Sequence, residues 1–203
     1  MELENQCINT EITQNPIHSY WIFNKAINKE ICQQIIDLGK NKWLKAKVQT
    51  QSLDKEFVDT KARAADVVWS DNEDIYRICW NHVLTANKNA NWNFKISACE
   101  PMQITRYKKN GHYDFHFDGN GFTRKHKPED ELLHGTARKL SMSIILNQDY
   151  EGGEFEFLED GSSIKAETGT IIVFPSYMMH RVKPITKGIR YSLVAWFSGE
   201  PFR

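Results

Sequence analysis

The stretch RYKKNGHYDFHFDGNG, residues 106–121, spells His-x-Asp twice, as His112 with Asp114 and His116 with Asp118. Side chains two apart point to the same side of a β-strand. If the stretch is a strand, His112, Asp114, His116 and Asp118 share one face, and Tyr113, Phe115 and Phe117 take the other. Four ionisable groups in a row make either a solvated sheet face or part of a metal site. Alternation alone does not choose between these, nor between the two His-x-Asp pairs.

Outward from this stretch the chain reads as short strands broken by turns. NWNFKISACEPMQITRY (91–107) is a strand region with a break at Pro101, and LSMSIILN (140–147) is a strand. Glu151-Gly152-Gly153 is a turn, EFEFLE (154–159) alternates, and Asp160-Gly161 turns again. GTIIVFP (169–175) is almost continuously apolar and therefore a buried strand, and IRYSLVAWFS (189–198) is the last one. The polar connection 119–138 is long enough to be read as a lid. Before the strands come two helical patterns. Asn28 caps a helix carrying Ile31, Ile35 and Leu38 that stops at Gly39. Ser70 and Glu73 form a capping box ahead of Ile75, Ile78, Cys79, Val83 and Ala86. Both apolar stripes are expected to face a core. The expected fold is α+β, mainly β: a barrel or two-sheet sandwich with the N-terminal helices packed on one side. The organisation expected is a single domain over 1–203, with an irregular segment 1–20, a supporting region 21–91 and a β core 92–203.

Of the 203 residues 40% are hydrophobic and 12% aromatic, a globular composition. Lys+Arg and Asp+Glu number 26 each, so no net field draws in nucleic acid, which is disfavoured as a partner. Cys7, Cys32, Cys79 and Cys99 are scattered without a C-x-x-C pair, which reads as buried free thiols in a reducing compartment. MELENQCINTEITQN has neither a basic nor an apolar leader region, and no run is long enough to span a membrane. The expectation is a soluble cytoplasmic protein with no membrane partner.

A non-haem iron centre needs two histidines and one carboxylate on one side of the metal. With one His-x-Asp supplying two ligands, the third is His126, His134 or His180. His126 and His134 sit in the polar connection, whereas His180 follows the buried strand 169–175, and a rigid strand end is the better support. Ten residues on, Arg190 and Ser192 share a strand face within an apolar run. An inward guanidinium is costly unless an anion meets it, and its fork suits a carboxylate. The competing reading is an internal salt bridge.

Tyr107, Gly111, Tyr113, His116-x-Asp118, Gly152-Gly153-Glu154, His180 and Arg190-x-Ser192 together resemble the Fe(II)- and 2-oxoglutarate-dependent dioxygenases, in their prolyl 4-hydroxylase-like branch. KARAADVVW (61–69) looks like the branch's early R-x-x-x-V-x-W strand, so the resemblance covers roughly 60–199. The branch places its tyrosine nine residues before the ligand histidine, and nine residues after Tyr107 is His116. The resemblance therefore implies a double-stranded β-helix (jelly-roll or cupin-like) core. It implies Fe(II) on His116, Asp118 and His180, and 2-oxoglutarate with its distal carboxylate on Arg190, aided by Ser192 and Tyr107. O2 is the second cosubstrate and ascorbate a candidate reductant. The implied activity is hydroxylation of a C–H bond, with a peptide, protein or small molecule as partner. Prolyl 4-hydroxylases proper usually carry Lys where this chain has Arg190, which weakens the prolyl assignment but not the cosubstrate. The alternatives are a nucleic-acid demethylase of the same superfamily and a non-enzymatic metal-binding cupin-like module.

Overall fold

A computed structural model describes residues 16–49, 56–119 and 131–202. The chain opens with β1 (Trp21–Phe23), α1 (Lys29–Leu38), β2 (Leu44–Lys45), β3 (Val48–Gln49), β4 (Glu56–Phe57), β5 (Arg63–Ala64), β6 (Asp66–Ser70) and α2 (Glu73–Asn89). It continues through β7 (Ala98–Cys99), β8 (Met102–Tyr107), β9 (His112–His116), β10 (Ala137–Ile145), β11 (Tyr150–Gly152) and β12 (Phe155–Phe157). It closes with β13 (Ser163–Ile164), β14 (Ile171–Pro175), β15 (His180–Val182), β16 (Ile185–Gly188) and β17 (Arg190–Gly199).

Two antiparallel sheets carry the fold. The larger runs β1-β14-β10-β17-β8-β6-β2, with β7 also on β17, and the smaller runs β13-β12-β15-β9-β5. β10 and the apolar β14 are central strands, buried at every position. β14 divides its side chains between two cores, and β10 gives Leu140, Met142 and Ile144 to one of them. Leu140, Met142, Ile144, Ile171, Val173, Leu193 and Phe197 pack with Cys32 and Ile35 of α1 and Cys79 and Val83 of α2. On the opposite face Tyr107, Ile172 and Phe174 meet Phe155, Phe157 and Val182 of the smaller sheet. Each such side chain, fully buried, contributes about 1.5–3 kcal/mol. The result is a double-stranded β-helix with the helices on one side.

Local capping differs from expectation at α2. Ser70 ends β6, and the cap is Asn72, whose side chain accepts from the N–H groups of Asp74 and Ile75. Ser70 only accepts from the Asn72 N–H. Asn72→Ala should lower stability by about 1 kcal/mol, and Ser70→Ala by clearly less, as measured by urea unfolding; equal losses would return the cap to Ser70. In α1, Asn28 is the N-cap and Gly39 the stop, but Leu38 is exposed and Cys32 with Ile35 fills the core instead. Cys32, Cys79 and Cys99 are free, and burial pushes the Cys79 thiol up to about 12.

The period-two reading of β9 fails at one place. His116 pairs with His180 and Tyr113 with Val182, so Asp114 and Phe115 together oppose the single Arg181. This is a β-bulge, which shifts the alternation by one residue. Tyr113 therefore turns inward with His116, while Asp114 is exposed and Phe115 lies against the Arg181 guanidinium. His112 also stays out of the row, bonded to the carbonyls of Lys61 and Asn110. The four groups do not share a face.

Of the connection 119–138 read as a lid, residues 120–130 lie outside the described residues, and Ala137 and Arg138 already belong to β10. Residues 1–15 of the N-terminal segment lie outside them as well. No helix among the described residues is long and apolar enough to cross a membrane.

Candidate active site

β9 ends at His116 and β15 begins at His180, and the two residues are direct partners across the sheet. Asp118 stands two residues beyond the strand end. Its Oδ1 is 3.7 Å from His116 Nε2 and its Oδ2 is 3.6 Å from His180 Nε2. The donor atoms of all three lie within 4.8 Å of one another. The backbone aims both rings. His116 Nδ1 faces the Asp114 carbonyl at 2.7 Å and His180 Nδ1 faces that of Met178 at 3.0 Å. A ring nitrogen against a carbonyl carries the proton, which leaves each Nε2 lone pair directed at Asp118.

The protonation states suit a cation. Burial, and then the neighbouring His180, push His116 down to about 3, so the ring is neutral at ordinary pH. Burial alone would raise the Asp118 carboxyl, but the facing His180 and His116, the Arg138 guanidinium and a Ser141 hydrogen bond hold it at about 2. A neutral His116 imidazole and an ionised Asp118 carboxylate are the deprotonated forms that a divalent metal requires. An N2O set with no thiolate fits iron among the transition metals.

Arg190 is 1% exposed, in the interior between the sheets. It pairs with Tyr107 across β8, and its guanidinium carbon lies 5.6 Å from that ring. One nitrogen, Nη1, donates to Ser192 Oγ at 3.2 Å. Nε and Nη2 are buried with no hydrogen-bond partner, and no acid pairs with Arg190 among the described residues. Among the described residues the internal salt bridge is therefore absent, and the two free donors form one edge of a fork that fits a carboxylate. Gly153 explains how this side chain is housed: with φ +68° it packs so closely that a Cβ there would sit 3.0 Å from Arg190 Cδ. Phe155 and Phe174, whose rings lie 5.2 and 4.6 Å from that of His180, line the space between the sheets together with Tyr107.

His116, Asp118 and His180 thus converge in one cluster, and Arg190, Ser192 and Tyr107 in a second. His134 is exposed in a turn, and His126 lies outside the described residues. Sequence reasoning assigned no role to Tyr113, Arg63 or Arg138. The Tyr113 ring stacks on His116 at 3.4 Å, and the Arg63 guanidinium sits 4.5 Å from the Tyr113 ring. Arg138 lies in β10, whereas the sequence reading put it at the end of the connection 119–138, so the argument used for Arg190 did not arise for it.

The 2OG-Fe(II) oxygenase superfamily model matches residues 102–198. A PKHD-type hydroxylase of Idiomarina loihiensis is 34% identical over 100 residues, covering 47% of this chain and 40% of its own. A putative prolyl 4-hydroxylase of Acanthamoeba polyphaga mimivirus is 23% identical over 93% of this chain and 77% of its own. This chain spans about two fifths of the length of the PKHD-type relatives it matches. Among solved structures, the viral collagen prolyl hydroxylase of Paramecium bursaria Chlorella virus-1 superposes with TM-score 0.67 at 18% identity, over 90% of this chain and 97% of its own. A Trichoplax adhaerens prolyl hydroxylase, in complex with a hypoxia inducible factor oxygen degradation domain peptide fragment, gives TM-score 0.65 at 17% identity over 88% and 83%. At those identities the likeness is one of fold.

Proposed function

We propose that the chain, whose residues 102–198 match the 2OG-Fe(II) oxygenase superfamily model, acts as a prolyl 4-hydroxylase-like member of that superfamily and hydroxylates a C–H bond of a prolyl or other residue in a peptide or protein. The observation that carries this reading is the pairing of a His-Asp-His cluster with a buried guanidinium that has two free donors. A metal-storing or sensing module has use for the first and none for the second.

In this reading His116, Asp118 and His180 hold Fe(II), and Arg190 with Ser192 takes the distal carboxylate of 2-oxoglutarate, beside Tyr107. Bound iron, with 2-oxoglutarate and O2, supplies the oxidising power for the C–H bond. The chain supplies position. The carbonyls of Asp114 and Met178 hold both rings by Nδ1 and turn each Nε2 toward the cluster. Phe155 and Phe174 keep water from the His180 side of the cluster. Trp69, half-exposed and 6.1 Å from the Trp196 ring, offers the substrate an apolar wall. A peptide substrate is supported by the Trichoplax adhaerens relative, whose structure contains a peptide fragment.

The test is incubation of iron-loaded protein with proline-containing peptides, 2-oxoglutarate and O2. A peptide mass gain of one oxygen, matched by succinate release, is expected. Succinate release with no peptide oxidised, but with an alkylated oligonucleotide repaired, would replace this reading by the demethylase one.

A further inference from the structure

Asp118 has no strand to hold it, because β9 ends two residues earlier. Its main chain is nevertheless fixed from two sides. Ser176 accepts the Gly119 N–H at 2.9 Å, and Arg138 Nη1 donates to the Asp118 carbonyl at 3.0 Å. Arg138 is 8% exposed and is itself held on every side. Its Nε and Nη2 donate to the two carboxylate oxygens of Glu100, a bidentate pair, and its plane lies 4.1 Å from the Trp196 ring centroid. Gly119 permits the approach: a Cβ there would fall 2.9 Å from Arg138 Cβ.

The direction of Arg138 is not what strand alternation gives. Leu140, Met142 and Ile144 of β10 all pack on the helix side. By parity Arg138 would join them. The register of β10 against β17 slips between Arg138 and Leu140, with Arg138 opposite Ser198 and Leu140 opposite Phe197. The extra residue, Lys139, is a bulge that turns Arg138 to the inner face. A charged side chain so re-aimed and so fully engaged does more than fill space.

We propose that Arg138, oriented by Glu100 and Trp196, is a positioning residue that holds the Asp118 carboxylate in metal-binding geometry; this rests on the reading of His116, Asp118 and His180 as the metal ligands. Arg138 touches neither metal nor substrate in this role. It acts through the Asp118 main chain, so its removal leaves the three ligands present but lets one of them wander. Lysine cannot replace it, because one ammonium cannot reach Glu100 in bidentate fashion and the carbonyl together.

The experiment needs no turnover. Purified full chain is titrated with Co(II), and affinity and the d–d absorption spectrum are recorded for the parent protein, Arg138→Met, Arg138→Lys, Glu100→Gln and His116→Ala, with circular dichroism to verify folding. Both Arg138 variants should bind Co(II) some 10- to 100-fold more weakly, the range typical for groups that orient a metal ligand, with an altered spectrum. Glu100→Gln keeps the Arg138 side chain and should show a smaller loss in the same direction, so it carries the test if an Arg138 variant fails to fold. Guanidinium ion added to Arg138→Ala should restore part of the affinity, which a merely structural defect would not allow. Parent-like affinity and spectrum in folded Arg138 and Glu100 variants would overturn the proposal, provided His116→Ala abolishes binding. If His116→Ala binds Co(II) like the parent, the metal reading itself falls, and this proposal with it.

Discussion

Arg190→Met should raise the 2-oxoglutarate concentration needed for half-maximal succinate release by roughly one to three orders of magnitude, and leave iron content unchanged. Methionine keeps the bulk and removes the charge. Truncating one member of a buried charge pair costs about 2–5 kcal/mol, much of it from the partner left alone. Here the situation is one-sided in an informative way. Among the described residues no acid meets Arg190, so the ligand-free protein bears the cost of two unpartnered donors. Removing the guanidinium should therefore stabilise the ligand-free protein while it weakens cosubstrate binding. The measurements are succinate release against 2-oxoglutarate, metal content, and thermal unfolding without ligand. A folded, iron-loaded variant with parent-like 2-oxoglutarate dependence would show that Arg190 does not bind the cosubstrate, and the binding-module reading would gain.

The second large effect separates the two His-x-Asp pairs. His116→Ala should abolish stoichiometric iron binding and succinate release together, because in the proposed reading it removes one of three ligands. His112→Ala should keep both within about twofold, since the His112 ring bonds to the Lys61 and Asn110 carbonyls on the outside of the sheet. It should cost instead about 1 kcal/mol of stability, the size of a lost hydrogen bond. Iron analysis and urea unfolding of the two variants decide the matter. Loss of metal in His112→Ala with retention in His116→Ala would place the site on the wrong pair.

The parts of this molecule that were legible in the sequence are those governed by long-range apolar patterning. Strand β14 was plain because a strand buried on both faces needs an almost unbroken apolar run, and β10 and β17 were plain from apolar residues recurring between turns. The positions of His180 and Arg190 followed from them, one after such a run and one inside it. What was not legible depends on single hydrogen bonds or single extra residues. Ser70 and Asn72 both suit a cap, and only the end of β6 decides that Asn72 takes the role. The bulges at Asp114–Phe115 and at Lys139 leave no compositional trace, yet each reverses the facing of every residue beyond it. Arg138 was missed because it was read as the end of the connection 119–138, and the His112 row was drawn on the wrong face because of the bulge at Asp114–Phe115.

Those two bulges also mark where the chain can change length. Losing Lys139 would leave Arg138 facing inward and Leu140 facing the helices, because Lys139 is the residue with no register partner in β17. Losing either Asp114 or Phe115 would likewise leave Tyr113 and His116 on the side they occupy now. A deletion between His116 and Asp118 has no such slack, since it would swing the carboxylate away from both imidazoles. The chain can therefore be shortened at an irregular position with the facing of its neighbours kept, whereas one residue gained or lost between His116 and Asp118 should break the proposed ligand pair.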